Sequence, residues 1–454
     1  MKSYKFRIQG TSDNKSGKIQ IAVSGFKHSA TMFLAAAPLL PSPLQIENFP
    51  KITDVLGMVE CLQYLGCDIR LENNKLTIDS RNLSNREIPF GLTKYLHGPL
   101  YFLPSLAIRL GSFRIGPLGG CRIGDPAVDG ERPTKHVLEV LRHFGARAEN
   151  QSDGGFYVKW AEKDLADITL DVQKWSTDPK ALSGPLISGV TKTAVLAAIG
   201  LKSGVTTILN PDLRSETQLL IDTCITAGWD IEQGSHHIKI FSYREESRPP
   251  VSVQIPSDLI EILTYIALAV CSNQTASITI TPSTNVERDL APEMLLLSKM
   301  GVKVLQKGTE LLVSPCPPHR AFKLRAGPPG IYSDSQPFFA LMATTCDGVS
   351  VIRDNVWRNR FDYVNGLREM GLNIFQDKND GTIAISPGPL NTTELTISGG
   401  DLRSTAVLTI AASSRTGVTF LRGAHMLARG YEDLPGKLRG CGVGVEIIAD
   451  EDEK

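Results

Sequence analysis

The sequence has no surplus of either charge. Among its 454 residues, 48 Lys and Arg stand against 48 Asp and Glu. A balanced chain offers no global field for nucleic acid or an anionic membrane, so any anionic ligand must be met by a local cluster of cations. Long hydrophobic runs are missing too. The most apolar stretches, such as 262-ILTYIALAVC-271 and 405-TAVLTIAA-412, are far too short to span a bilayer. The opening MKSYKFRIQGTSDNKSG contains no apolar core of the kind a secretory signal carries. Cysteine is sparse: eight residues with no CxxC pair and no regular spacing. That argues against a disulfide framework or a zinc site and fits a reduced, cytoplasmic setting. No Walker loop, GxGxxG, HExxH or GxSxG occurs in a fitting context. The length suggests two domains or three.

What is present is a weak internal repeat. An amphipathic segment ends in glycine and is followed by a short alternating run, as in 65-LGCDIRL-71, 144-FGARAE-149, 227-AGWDIEQ-233, 300-MGVKVLQ-306, 370-MGLNIFQ-376 and 441-CGVGVEII-448. Gly66, Gly145, Gly228, Gly301, Gly371 and Gly442 are spaced 79, 83, 73, 70 and 71 residues apart. A helix that must stop and turn into a strand needs positive φ just past its end, which glycine takes without a Cβ penalty. The spacing predicts six α/β units, three to a lobe. Segments such as 31-TMFLAAAPLL-40, 192-KTAVLAAIGL-201, 337-PFFALMATTC-346 and 404-STAVLTIAA-412 are apolar nearly all round, which predicts helices buried on every side. Each precedes a strand-like run, so helices belong at the centre of each lobe with sheets outside.

Between these units lie short polar motifs: 24-SGFKHSA-30, 50-PKITD-54, 119-GGCRIG-124, 130-GERP-133, 333-SDSQ-336, 358-RNRF-361, 401-DLRS-404 and 428-ARGYEDL-434. In this order they resemble the enolpyruvyl transferase family, and most of all its UDP-N-acetylglucosamine 1-carboxyvinyltransferase branch. The resemblance implies an α/β, two-lobed inside-out barrel of six βαβαββ units, with the N-terminal strand in the second lobe. The first lobe is expected over 25–251, the second over 1–24 and 252–454, and the site in the cleft between them. It implies transfer of the enolpyruvyl group of phosphoenolpyruvate to a hydroxyl by addition and then elimination of phosphate, with no cofactor and no metal. Such chemistry needs cations for the donor's anionic groups, an acid for its methylene carbon and a base for the hydroxyl.

Residue by residue, the resemblance makes Lys27, Cys121, Asp334 and Arg429 catalytic. Cys121 would be the acid and Asp334 the base. Lys27, Arg132, Arg360, Arg403 and Arg429 would bind phosphoenolpyruvate, and Asp54 and Asp401 would orient these cations. The acceptor side would include His28, His97, Arg132, Pro133, Ser188, Gly189, Lys192, Asp334 and Val356. About six residues, DPAVDG, intervene between GGCRIG and Glu-Arg-Pro, and this glycine-rich loop reads as a lid carrying Cys121 and Arg132. The acceptor side also departs from the branch named above: His28 replaces asparagine, 134-TKH-136 replaces the segment that embraces uridine, and 188-SGVTK-192 keeps the serine while adding a lysine. These changes favour a smaller uridine nucleotide, such as the 3′-hydroxyl of UMP in nucleoside antibiotic synthesis. Peptidoglycan precursor synthesis on UDP-N-acetylglucosamine is the alternative. A non-catalytic nucleotide-binding paralogue is a reading of another class, opposed by the intact acid and base. An RNA 3′-phosphate cyclase would need His425 as nucleophile, in a context that suits the transferases better. Oligomeric state is left open by the sequence.

Overall fold

The computed structural model describes residues 4–10, 18–121, 123, 132–160, 167–178, 180–242 and 250–450. They form two compact units. The first comprises Gly25–Cys121 and Arg132–Ile255; the second comprises the chain up to Ser24 and from Pro256 onward.

Each unit is built from three copies of one motif, and the copy that starts at Lys323 shows the pattern. Strand Lys323–Ala326 enters the buried helix Gln336–Met342, which returns the chain to the parallel neighbour Ser350–Asp354. The outer helix Tyr363–Glu369 then leads to the hairpin of Ile374–Asp377 and Thr382–Ile385, whose second strand pairs antiparallel with Ser350–Asp354. Leu324, Ala326, Ile352, Ile383 and Ile385 are buried, as period-two alternation on a half-buried sheet requires. All six four-stranded sheets share this order.

The chain threads the motif with a permutation. Tyr4–Gln9 lies antiparallel between Val418–Arg422 and Gly444–Ala449, and Ile19–Ala22 pairs parallel with Ala276–Thr279. Both N-terminal strands therefore complete sheets of the second unit. Val251–Gln254 pairs parallel with Leu44–Glu47, and this pairing carries the first unit past the expected boundary at 251 to Ile255.

Three central helices pack on one another in each unit: Lys27–Ala36, Phe102–Leu110 and Ile187–Ile199 in the first, Leu259–Cys271, Gln336–Met342 and Leu402–Ser413 in the second. Every residue of Leu402–Ser413 is buried. Three of its polar members are satisfied within the helix, because Thr405, Thr409 and Ser413 donate back to the carbonyls of Asp401, Thr405 and Thr409 at 2.7, 2.8 and 2.7 Å. The six repeat glycines follow the six outer helices, all with positive φ, from 82° at Gly145 to 102° at Gly66. Among the described residues no helix is long and apolar enough to cross a membrane.

Candidate active site

The second unit gathers a carboxylate and two guanidiniums from two successive repeats. Asp334 precedes the Gln336–Met342 helix, Arg360 precedes the Tyr363–Glu369 helix, and Arg403 lies in the first turn of Leu402–Ser413. Asp334 Oδ1 accepts from Arg360 Nη1, and its Oδ2 accepts from Arg403 Nε at 3.0 Å. Arg403 Nη1 also donates to the Tyr431 hydroxyl at 3.1 Å, and that oxygen lies 2.9 Å from Thr264 Oγ1. Asp401 Oδ1 accepts from the backbone N–H of Arg403 at 2.8 Å and so caps the helix that bears it. Arg429 is buried at the end of the short Ala424–Arg429 turn.

Both arginines are almost wholly inside the unit, with exposures of 6% for Arg360 and 1% for Arg403. Burial alone would lower their pKa values. For Arg360 the charges of Asp334 and Asp401 outweigh it, and for Arg403 the interactions with Tyr431, Asp334 and Asp258 do, so both are raised above the ordinary range. Burial pushes the Tyr431 hydroxyl up to about 12. These groups are fixed cations beside a neutral phenol, an arrangement suited to bidentate recognition of oxyanions.

On the first unit, Lys27 occupies the first position of its helix, whose first turn carries no acidic residue. A cation there opposes the helix dipole. It is offset by Asp54, near the start of Thr53–Tyr64, whose Oδ2 lies 2.7 Å from Lys27 Nζ. The neighbouring His28 packs against Phe26 with ring centroids 5.2 Å apart.

Lys192 is not the free cation expected of it. Its Nζ is paired at 2.7 Å with Glu216. Both are buried, and although burial would raise the Glu216 pKa, Lys192 and then His28 hold it down to about 2. The partner was out of sight because it stands on another helix, Ser215–Thr226. Ser188 and Gly189 open the Ile187–Ile199 helix, and the His136 ring presses on that turn: a Cβ at Gly189 would lie 2.2 Å from His136 Nε2. Burial drives the His136 pKa down to about 4, so this imidazole is neutral near pH 7.

Cys121 is buried and belongs to no disulfide. Arg132 and Pro133 precede the Lys135–His143 helix, His97 precedes the Gly98–Tyr101 turn, and the Val356 N–H donates to Asp354 Oδ1 at 2.8 Å. The expected lid falls on 122 and 124–131, outside the described residues. Two participants went unnoticed in the sequence. Tyr431 lies inside a quoted motif and had a local signal, and Glu216 had none.

Fold and site together have the character of an enolpyruvyl transferase. The family model for EPSP synthase (3-phosphoshikimate 1-carboxyvinyltransferase) matches residues 11–438. The chain is 31% identical to UDP-N-acetylglucosamine 1-carboxyvinyltransferase 2 of Prochlorococcus marinus, over 94% of each chain. It is also 31% identical to the UDP-N-acetylglucosamine 1-carboxyvinyltransferase of Anaplasma marginale, over 97% of this chain and 98% of the relative. Among solved structures, the enolpyruvyl transferase NikO from Streptomyces tendae superposes with a TM-score of 0.87 at 30% identity, covering 99% of this chain and 100% of that one. An EPSP synthase from Acinetobacter baumannii, at 16% identity and a TM-score of 0.69, covers 98% and 100% and shares the fold. The chain belongs to the EPSP synthase family of enolpyruvyl transferases and is an enzyme.

Proposed function

We propose that the enzyme moves the enolpyruvyl group of phosphoenolpyruvate to a hydroxyl of a uridine nucleotide, with the 3′-hydroxyl of UMP as acceptor, and releases inorganic phosphate. The observation that carries this reading is the Asp334 carboxylate seated between Arg360 and Arg403. That cluster offers a base and two oxyanion-binding forks in one buried place. Arg360, Arg403 and Arg429, with Lys27 and Arg132, take the donor's carboxylate and phosphate oxygens. Asp54 steadies Lys27, and Asp401 steadies Arg403.

In the addition step the acceptor oxygen bonds to C2 of phosphoenolpyruvate as Asp334 receives the hydroxyl proton. The Cys121 thiol gives a proton to C3, which leaves a tetrahedral adduct. In the elimination step the C2–O bond to phosphate breaks, phosphate leaves with the proton that Asp334 received, and the Cys121 thiolate takes a proton back from C3, so the double bond reforms with the enolpyruvyl group on the acceptor. Donor anions drawing on the two arginines would loosen their hold on Asp334, and a carboxylate released in this way is a better base.

His28, His97, Arg132, Pro133, Ser188, Gly189 and Val356 form the acceptor side of this reading. Lys192, neutralised by Glu216, shapes that side instead of binding the ligand's charge. Bulk favours a compact acceptor: His28 stands beside the catalytic lysine, and the His136 ring fills the space over Gly189. The second reading, UDP-N-acetylglucosamine, is favoured by the names of the relatives. Calorimetric titration separates the two. UMP should bind at least about tenfold more tightly than UDP-N-acetylglucosamine, the loss expected when one buried polar contact goes unmade. Tightest binding of the UDP-sugar would overturn the choice of UMP.

A further inference from the structure

We propose that Asp354, acting through the Ser333 hydroxyl, is a positioning residue that sets the Arg360 guanidinium for its ligand. The proposal rests on the reading that Arg360 holds the anionic donor. Ser333 follows strand Lys323–Ala326 in the chain, and Asp354 ends its parallel neighbour Ser350–Asp354, so both residues lie past or at the carboxyl ends of adjacent parallel strands. Such ends are where open α/β sheets place their ligands.

Ser333 Oγ donates to Asp354 Oδ2 at 2.5 Å and accepts from Arg360 Nη1 at 3.3 Å. The other oxygen of Asp354 accepts the backbone N–H groups of Val356 and Trp357 at 2.8 and 2.9 Å. Every group in the chain is buried: Asp354 has no exposed surface, Ser333 is 8% exposed and Arg360 is 6% exposed. A serine has one proton to give. With that proton committed to Asp354, its lone pairs face the guanidinium, and the relay has a single polarity.

The backbone of Arg360 is held separately, since its carbonyl accepts from Gln336 Nε2 at 3.0 Å and Gln336 Oε1 accepts from the Tyr363 hydroxyl at 2.7 Å. The Ser333 arm of the relay, together with Asp334, thus restrains the side chain of Arg360. It ties Nη1, the nitrogen that also meets Asp334, while Nε is buried with no partner among the described residues. That edge remains for an oxygen of the donor. Asp354 reaches Arg360 only through Ser333, while its other oxygen holds the backbone at Val356 and Trp357, so Ser333→Ala is the change that isolates the relay.

The test uses the full chain with Ser333→Ala, Ser333→Thr and Asp354→Asn. Ser333→Ala leaves both amide bonds to Asp354 in place and cuts only the relay. It should raise KM for phosphoenolpyruvate about tenfold, the scale of a lost hydrogen bond to a charged group, with KM for the acceptor unchanged and the unfolding midpoint near wild type. Ser333→Thr, which keeps the hydroxyl, should restore donor KM. Asp354→Asn should act in the same direction as Ser333→Ala. Wild-type donor KM in Ser333→Ala, or equal losses for both substrates, would overturn the proposal. Calorimetry with phosphoenolpyruvate, alone and with UMP, keeps the two readings apart. If wild type binds no donor, the donor reading falls and the relay with it; if wild type and Ser333→Ala bind it equally, only the relay falls.

Discussion

The proposed mechanism gives the acid's role to Cys121, which is buried as Cys61, Cys67, Cys224 and Cys346 are. Burial, first of all, pushes Cys61 and Cys67 up to about 12 and Cys346 to about 11, and it raises Cys271 and Cys441 as well. A thiol reacts through its thiolate, so these five are inert near neutral pH. If Cys121 is the acid of the proposed mechanism, iodoacetamide at pH 8 should label it ahead of these five, with phosphoenolpyruvate protecting it, and Cys121→Ser should lose most turnover. Peptide mass spectrometry reads the labelling, and equal labelling of Cys121 and Cys271 would remove Cys121 from the acid's role. At this scale the sequence showed the charged residues that sit inside motifs. Asp334, Arg360 and Arg403 were legible, and the structure brings them into one cluster. Lys192 was misread because a buried ion pair depends on a partner that periodicity does not reveal.

Glycine made the elements readable. Six positive-φ positions at helix ends mark the boundary where a 3.6-residue period changes to a period of two, and the structure has that turn at all six. Two central helices were not recognised as members of the repeat. Phe102–Leu110 was masked by Pro99 and Pro104, although a proline in the first turn of a helix gives up no internal hydrogen bond. Leu259–Cys271 is so uniformly apolar that it has no period to follow. Gly189 gives a prediction for an element. Alanine in a helix interior is ordinarily better than glycine by about 1 kcal/mol. Here its methyl would meet the buried His136 ring, so Gly189→Ala should lower the unfolding midpoint and weaken acceptor binding. In a His136→Ala background the same change should become neutral or stabilising. Calorimetric unfolding of the double-mutant cycle checks the sign; stabilisation by Gly189→Ala alone would show that the ring does not restrict the turn.

At the scale of the whole molecule, the described residues form six like sheets and six buried helices in two units, with the N-terminal strands completing sheets of the second. The repeat and its inside-out layering could be read from glycine spacing and apolar helices, because both follow from burial and backbone sterics. The permuted strands were legible only in part. The resemblance placed the first strand, while Ile19–Ala22 and Val251–Gln254 are short segments whose partners lie over 200 residues away in the chain. The acceptor depends on the shape of a pocket and not on any pattern, which is why chemistry must decide it. The most direct measurement is phosphate release from phosphoenolpyruvate by the full chain, with UMP, UDP, UDP-N-acetylglucosamine and shikimate 3-phosphate offered in turn. The account predicts acceptor-dependent release that is fastest with UMP and abolished in Asp334→Asn; release that is fastest with UDP-N-acetylglucosamine, or none with any acceptor, would contradict it.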